Sequence, residues 1–330
     1  MSAVPPKTLT ESANLNIKKW NPRLFFKEYG IVIALVLIIG LLSVISPAFL
    51  TFNNMMNVLR QVSINGLLAI GATFVILTRG IDLSVGSILA FSGVVTASLV
   101  QGGAYPEWIA IAAGLLAGLV LGWVNGFVVA KWYVAPFIVT LGMMSAARGL
   151  TFVYSDGRPI PGLSESFKWI GGGTLIGVPV PVWILLIVFA LSSFLLYRTR
   201  IGRYVYAVGG NEESALISGV NVKRVKIIVY SLSGLLAGLA GIILTSRVTS
   251  GLPQAGSSYE LDAIAAVVIG GTSLAGGKGR LWGTMIGVLL IGVINNGLDL
   301  LNVSSYYQLI VKGMVIVIAV LIDSKTTHKS

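Results

Sequence analysis

The sequence predicts an all-α membrane protein with about ten transmembrane helices. Hydrophobic residues make up 55% of the chain and charged residues only 11%. Apolar runs of about 20 residues recur, and each can cross a ~30 Å hydrocarbon core as a helix that rises ~1.5 Å per residue. The predicted spans are 29–49, 61–78, 84–101, 107–131, 134–154, 180–197, 225–246, 261–275, 282–301 and 305–323.

The orientation follows from the basic residues, because Lys and Arg near span ends stay in the cytosol. With the N-terminus inside, 17 of the 23 Lys and Arg residues fall on the cytosolic side. Deleting the short eighth span would move Lys278 and Arg280 outside, so an even number of spans is favoured. The sequence predicts a cytosolic segment 1–28, a transmembrane domain 29–323 with a basic cytosolic loop 198–226, and a cytosolic tail 324–330.

Composition also argues against several function classes. The chain has no cysteine, and its single histidine, His328, lies in the polar tail, so we predict no metal site and no catalytic residue. The turn Gly276–Arg280 superficially suggests a phosphate-binding loop, but Thr272 and Gly279 occupy its first Gly and its Ser/Thr positions. We therefore expect no bound cofactor. The net charge of +11 suits anionic inner-leaflet lipid and requires no nucleic acid.

Glycine spacing predicts closely packed helices. Small residues four positions apart lie on one helix face and let two backbones approach. The spaced glycines are Gly114, Gly118, Gly122 and Gly126 in the fourth span, Gly234 and Gly238 in the seventh, and Gly283 and Gly287 in the ninth.

Spans two to five and seven to ten can be superposed in opposite directions, which indicates an inverted repeat, an arrangement typical of transporters. In each half a Gly/Ser turn leads into an acidic helix start, at 78–87 and at 256–262. Asp82 or Ser84 is expected to cap the first of these helices, and a cap is favoured over a substrate contact for Asp82. Ser257 and Glu260 have the spacing of a capping box in the second.

Polar residues on the apolar spans are candidates for the translocation pathway. Interhelical hydrogen bonds would explain each of them equally well. They are Asn65, Asn125, Thr140, Asn295 and Asn296. Two cations, Arg148 and Lys312, also fall within spans, and we expect Lys312 to form a structural ion pair with Asp299, because an unpaired charge in a bilayer is costly.

The loop 198–226 contains a short sequence with its own helix caps. Asn211 suits an N-cap, acidic residues follow where the helix dipole favours them, and Gly219 suits the left-handed C′ position. This helix is either a solvated connector or a docking element for a cytosolic partner. The residues assigned to it are Asn211, Glu212, Glu213, Ser214, Ala215 and Gly219.

Glu213-Ser214-Ala215 followed by Gly219 has the Glu-Ala-Ala-x-x-x-Gly spacing of the coupling loop in permease subunits of ATP-binding-cassette importers. Ser214 replaces the first Ala, and the usual downstream Leu-Pro is absent. Longer runs resemble the permeases of bacterial monosaccharide importers, especially those of the ribose type. These runs are 77–87, 209–212, 226–232, 260–280 and 303–308, and the resemblance covers about 30–323.

The resemblance implies a permease of the bacterial inner membrane that imports ribose or a related monosaccharide along the axis of a homodimer. It also implies a cytosolic ATPase subunit, which binds the ATP and Mg, and a periplasmic or tethered sugar-binding protein. Residues 154–178 match the family least well, so the identity of the sugar stays open. An ion-coupled sugar carrier that acts without an ATPase is the alternative. A membrane enzyme is not favoured, because the sequence offers no nucleophile–base pair.

Overall fold

The computed structural model describes residues 22–327, which form thirteen α-helices, a short 3₁₀ turn and one small hairpin. The predicted segment 1–28 lies mostly outside the described residues, and so does His328. The helices are α1 Pro22–Ile45, α2 Phe52–Leu77, α3 Val85–Val100, α4 Glu107–Trp132, α5 Pro136–Ser155, α6 Glu165–Gly172, α7 Val180–Arg198, α8 Arg200–Gly210, α9 Glu212–Ile217, α10 Val222–Val248, α11 Tyr259–Ile269, α12 Leu281–Leu300 and α13 Ser305–Thr327. The hairpin pairs β1 Thr174–Leu175 with β2 Val178–Pro179.

Seven of the described helices are long and apolar enough to cross a membrane: α2, α3, α4, α5, α7, α10 and α12. Helix α1 adds a shorter apolar stretch, Gly30–Ile45. The predicted all-α membrane fold is therefore confirmed, whereas the number of ten spans stays a prediction. The second span was placed too late: α2 begins at Phe52 rather than at 61, because its first turns carry polar side chains that hydropathy does not assign to a span.

The eighth predicted span, 261–275, is wrong in its bounds. Helix α11 covers only 11 residues, about 16 Å, and it ends where Gly271 adopts a left-handed φ of 86°. Non-helical segments precede it at 249–258 and follow it at 270–280. Helix α11 is thus the central part of a broken crossing rather than a complete transmembrane helix.

The antiparallel contact between α4 and α10 is built from glycines. A Cβ added at Gly118 would overlap the carbonyl oxygen of Gly234, and a Cβ added at Gly234 would overlap the carbonyl oxygen of Gly118. Gly122 likewise packs against Tyr230 and Gly234. All four predicted glycines of α4 are buried. The predicted small-residue face is therefore confirmed as the place where the two backbones meet.

The two halves of the molecule contain similar interruptions. The segment 78–84 separates α2 from α3, and 249–258 separates α10 from α11. Helices α2 and α10 are antiparallel and cross at Gly71 and Ser233, so the two breaks enter the bundle from opposite ends. They meet at its centre, where a Cβ on Gly86 would overlap the carbonyl oxygen of Gly256. This arrangement agrees with the predicted inverted repeat.

The bundle has two distinct ends. At one end, Gly277 N–H donates to Leu77 O at 3.0 Å beside Arg79, so the α2–α3, α8–α9 and α11–α12 connections lie together. At the opposite end Gly102 donates to Gly162 O at 3.1 Å, and Ile160 bridges to Gly251. The first end contains basic segments that the sequence predicts to lie together on the cytosolic side of the membrane. We name this end the basic face.

We expect Gly118→Val to destabilise the fold, because two extra methyl groups and a Cβ would have to displace the backbone of α10. Overpacking typically costs about 1–3 kcal/mol, and rigid backbone neighbours place this change at the upper end. Thermal denaturation of the purified protein in detergent would measure the effect. Gly40→Val is the matched control, since a Cβ at Gly40 meets nothing within 4 Å. Equal melting temperatures for the two variants would contradict the close packing of α4 and α10.

Candidate coupling helix and translocation site

Helix α9 has the caps that its sequence predicts. The Asn211 Oδ1 accepts from Ser214 N–H at 2.9 Å, and Gly219 adopts a left-handed φ of 82°. Gly219 N–H donates to Leu216 O and Val220 N–H to Ala215 O, each at 3.0 Å, which forms a Schellman motif. Both ends of α9 are thus closed by local hydrogen bonds, so this short helix holds its shape on the surface.

The same helix is anchored on one side and open on the other. Ala215 and Val220 are buried, and Lys226 of α10 donates to both carboxylate oxygens of Glu212, at 2.8 and 2.9 Å. In contrast, the side chains of Leu216 and Ile217 are 63% and 87% exposed. Neither residue was among those predicted for the docking element, although they are the two large apolar residues of the segment Asn211–Gly219. Helix α9 therefore presents an apolar surface at the basic face.

Arg79 connects this region to the first break. It adopts a left-handed φ of 62°, and its guanidinium donates to the last two carbonyls of α8, from Nε to Gly209 O at 2.8 Å and from Nη2 to Gly210 O at 2.6 Å. Gly210 immediately precedes Asn211, the N-cap of α9. Asp82 follows Arg79 by three residues and lies inside the bundle. Arg79 thus links α9 to the start of α3 over a very short stretch of chain.

The segment 270–280 is held to the same face by tyrosines. The Tyr206 hydroxyl of α8 donates to Gly279 O at 2.8 Å, and Tyr197 Oη accepts from Leu281 N–H at 2.9 Å. Burial, with a smaller contribution from neighbouring Tyr197, raises the pKa of Tyr206 to about 12. The Tyr206 hydroxyl therefore stays protonated at neutral pH and remains a donor. A movement of α8 would be transmitted to the segment that completes the second break.

Helix α9 overhangs a groove of about 810 Å³. Arg79, the α4–α5 turn with Tyr133, and the first turn of α10 line it. Lys223 lies over the Tyr133 ring at 5.3 Å, a cation–π contact that holds the two walls together. The groove lets an incoming side chain reach behind the exposed edge of α9.

Asp82 organises the first break. Its Oδ1 accepts from Ser84 N–H at 3.0 Å and from Ser84 Oγ at 2.6 Å, while Oδ2 accepts from Ser233 Oγ of α10 at 2.9 Å. Asp82 therefore closes a tight turn and binds it to α10. The N-cap position itself belongs to Ser84, whose side chain makes no capping bond. The cap interpretation is thus replaced by a turn that is fixed to a neighbouring helix.

The predicted capping box of Ser257 and Glu260 does not form. Ser257 Oγ donates back to Gln254 O at 2.9 Å, and Ser258, at a left-handed φ of 68°, is the residue that precedes α11. The loop bends too sharply for Ser257 to reach the first turn of the helix. A different contact holds this second break: Arg148 Nη1 of α5 donates to Pro253 O at 2.7 Å and to Ala255 O at 2.8 Å.

The five polar residues proposed for the pathway lie inside the bundle, none more than 8% exposed. Asn54 and Asn296 exchange two hydrogen bonds between α2 and α12, and Asn125 Nδ2 donates to Ser84 Oγ at 2.9 Å. Thr140 Oγ1 donates to Ile81 O at 3.1 Å. Asn65 is also buried. The pair Asn54–Asn296 is an interhelical contact of the kind that the sequence left open, whereas Asn125 and Thr140 bind the first break. A role of these residues in the pathway stays a prediction.

The predicted ion pair of Lys312 with Asp299 is wrong. Lys312 Nζ of α13 lies 2.8 Å from Oδ2 of Asp262, whose side chain is 3% exposed, and Asn295 Nδ2 donates to the same oxygen at 3.1 Å. Asp299 instead accepts from Gln308 Nε2 at 2.8 Å, within the turn that joins α12 and α13. The packing of α13 against α11 brings Lys312 to Asp262 rather than to Asp299.

A helical bundle with two opposed breaks, and a rigid exposed helix at its basic face, defines a membrane protein of the transporter class. The chain belongs to the family described as branched-chain amino acid transport system / permease component, which matches residues 54–320. No solved structure matches the chain.

Several characterised relatives are similar over nearly the whole chain. The ribose import permease protein RbsC of Escherichia coli (strain K12) is 54% identical over 312 residues, covering 93% of this chain and 97% of the relative. RbsC of Bacillus subtilis (strain 168) is 54% identical over 301 residues, covering 91% and 93%. The D-allose transport system permease protein AlsC of Escherichia coli (strain K12) is 45% identical over 307 residues, covering 93% and 94%.

We expect Lys312→Met to destabilise the protein, because it leaves the buried Asp262 carboxylate without its cation. Breaking one side of a buried pair costs about 3–5 kcal/mol. The double variant Lys312→Met/Asp262→Asn should recover much of this loss, and Lys312→Met/Asp299→Asn should not. Folded yield and thermal denaturation in detergent would measure all three. Equal recovery in the two double variants would show that Asp262 is not the residue that depends on Lys312.

Proposed function

We propose that this chain is the membrane-spanning permease subunit of an ATP-driven importer of ribose or a related monosaccharide. The geometric observation that carries the proposal is α9, a capped and anchored helix whose exposed apolar residues Leu216 and Ile217 lie at the basic face. Near-complete alignment with ribose import permeases at 54% identity supports ribose as the sugar. A sugar-binding protein delivers it at the opposite end.

In this mechanism a cytosolic ATPase subunit, which holds the ATP and Mg, docks on α9. A movement of α9 pulls on the Gly209 and Gly210 carbonyls, and Arg79 passes that movement to the first break. Two chains form a homodimer in the bacterial inner membrane, surrounded by lipid, and the sugar crosses between them. Both termini lie in the cytosol, in accordance with the excess of basic residues on that side.

The decisive experiment for the function reconstitutes the chain in sealed vesicles with its ATPase and sugar-binding protein, and measures uptake of radiolabelled ribose. Uptake should require the ATPase, ATP and the binding protein together. Buried carboxylates such as Asp82 and Asp262 give the ion-coupled alternative a structural basis. Uptake by the chain alone that follows an imposed ion gradient would favour that alternative.

The contact surface on α9 predicts the effect of Ile217→Glu. A charge at the centre of an apolar docking surface should weaken ATPase binding about thirtyfold, the ~2 kcal/mol effect of a hot-spot residue, and abolish uptake. Co-purification of the ATPase would measure the binding. Ile176→Glu is the matched control, since Ile176 is 86% exposed on the opposite end of the bundle. Normal ATPase binding by Ile217→Glu would remove the docking role from α9.

The orientation predicts that a cysteine at Ser214 resists a membrane-impermeant thiol reagent added outside intact cells. The chain has no native cysteine, so any labelling reports the introduced position alone. Thr174→Cys, in the exposed hairpin at the other end, should be labelled under the same conditions. The reverse pattern, with Ser214→Cys labelled and Thr174→Cys protected, would invert the topology.

A further inference from the structure

The second break carries exposed polar groups deep inside the membrane domain. Gly256 packs against Gly86, the second residue of α3, and α3 continues from there for 14 residues, about 21 Å, to its end at Val100. The loop Leu252–Ser258 therefore reaches deep into the bundle, far from the end at which α10 terminates. Within this loop, Gln254 and Ser257 are exposed on the surface of the single chain.

Lipid cannot cover such a loop. Non-helical backbone at membrane depth is tolerated only where protein buries it or where it lines a water-filled cavity, because hydrocarbon offers no hydrogen bonds. The exposed side chains of Gln254 and Ser257 impose the same condition. This part of the surface therefore faces either another protein chain or water.

Helix α5 continues the same surface. Arg148 binds the loop through two carbonyls, which places α5 directly beside it. Leu141, Gly142, Ser145 and Gly149 of α5 are exposed, and a Cβ added at Gly142 or Gly149 meets nothing within 4 Å. Small residues on an open helix face favour contact with another helix over contact with lipid.

We infer that the loop Leu252–Ser258 and Arg148 line the sugar pathway, and that the α5 face of a second copy of this chain closes it. This inference rests on the proposed function and adds the residues that contact the sugar. The solute that fits is a neutral polyol. The Gln254 amide and the Ser257 hydroxyl can each donate and accept, and a guanidinium has donors beyond the two that Arg148 uses on the loop. The Glu260 carboxyl group lies near enough to Arg148 to interact with its charge.

Single cysteines test this assignment, since the native chain contains none. Ser257→Cys is compared with Leu191→Cys, a position in the middle of α7 that is 65% exposed and faces lipid on this account. Opened membranes that contain the complete importer are treated with a membrane-impermeant maleimide. Ser257→Cys should react at least about tenfold faster, because hydrocarbon disfavours the reactive thiolate. Ribose with its binding protein should slow the reaction. The modified importer, reconstituted into sealed vesicles, should no longer take up ribose.

The second copy is tested by cross-linking. Ser145→Cys should form a covalent dimer with a short bifunctional thiol reagent, because equivalent residues that lie near a two-fold axis are close to each other. Leu191→Cys should stay monomeric. Labelling of Ser257→Cys as slow as that of Leu191→Cys, or fast labelling that ribose leaves unchanged, would overturn the pathway assignment, and a Ser145→Cys chain that remains monomeric would overturn the closing role of α5.

Uptake of ribose by the unmodified importer, reconstituted into sealed vesicles, separates the two proposals. If uptake depends on ATP and the labelling pattern fails, the importer function stands and the pathway lies elsewhere. If the labelling pattern holds and uptake does not require the ATPase, the pathway assignment stands and the proposed coupling to the ATPase is refuted.

Discussion

The close approach of α4 to α10 determines the rest of the bundle. Because glycines occupy both sides of this contact, α10 lies close enough to α4, α2 and α3 to bind all of them along its length. Its Ser233 holds the Asp82 turn in the interior, and its Lys226 holds Glu212 of α9 at the surface. One helix therefore positions both the first break and α9.

Much of this could be predicted from sequence, because the signals are local. Glycines four residues apart identify the buried face of α4. The N-cap Asn211 and the C′ residue Gly219 define a helix of only six residues. Each such signal depends on a few neighbouring positions in the chain. The bounds of α11 were harder, since an apolar run that continues through Gly270 and Gly271 has the hydropathy of a span but not the backbone conformation of one.

Contacts between distant segments could not be predicted in the same way. Asp299 is closer to Lys312 in sequence, but Asp262 is its partner in space. The packing of α13 on α11 determines which of the two carboxylates Lys312 meets. Hydropathy also marks a polar residue within a span without showing which way it faces. Asn125, Asn295 and Asn296 are such residues: they make hydrogen bonds in the interior, and their role in the pathway stays a prediction. The exposed side chains of Gln254 and Ser257 lie in a loop, which hydropathy does not mark.

The contact of Arg79 with Gly209 and Gly210 uses backbone carbonyls, which every amino acid supplies. The outward side chains of α9 can therefore change during evolution without any loss of the hydrogen bonds behind them. In the proposed coupling, recognition of the partner and transmission of its movement therefore reside in chemically separate groups. A permease built in this way can acquire a new ATPase by altering a few surface residues while the connection to its interior is inherited intact.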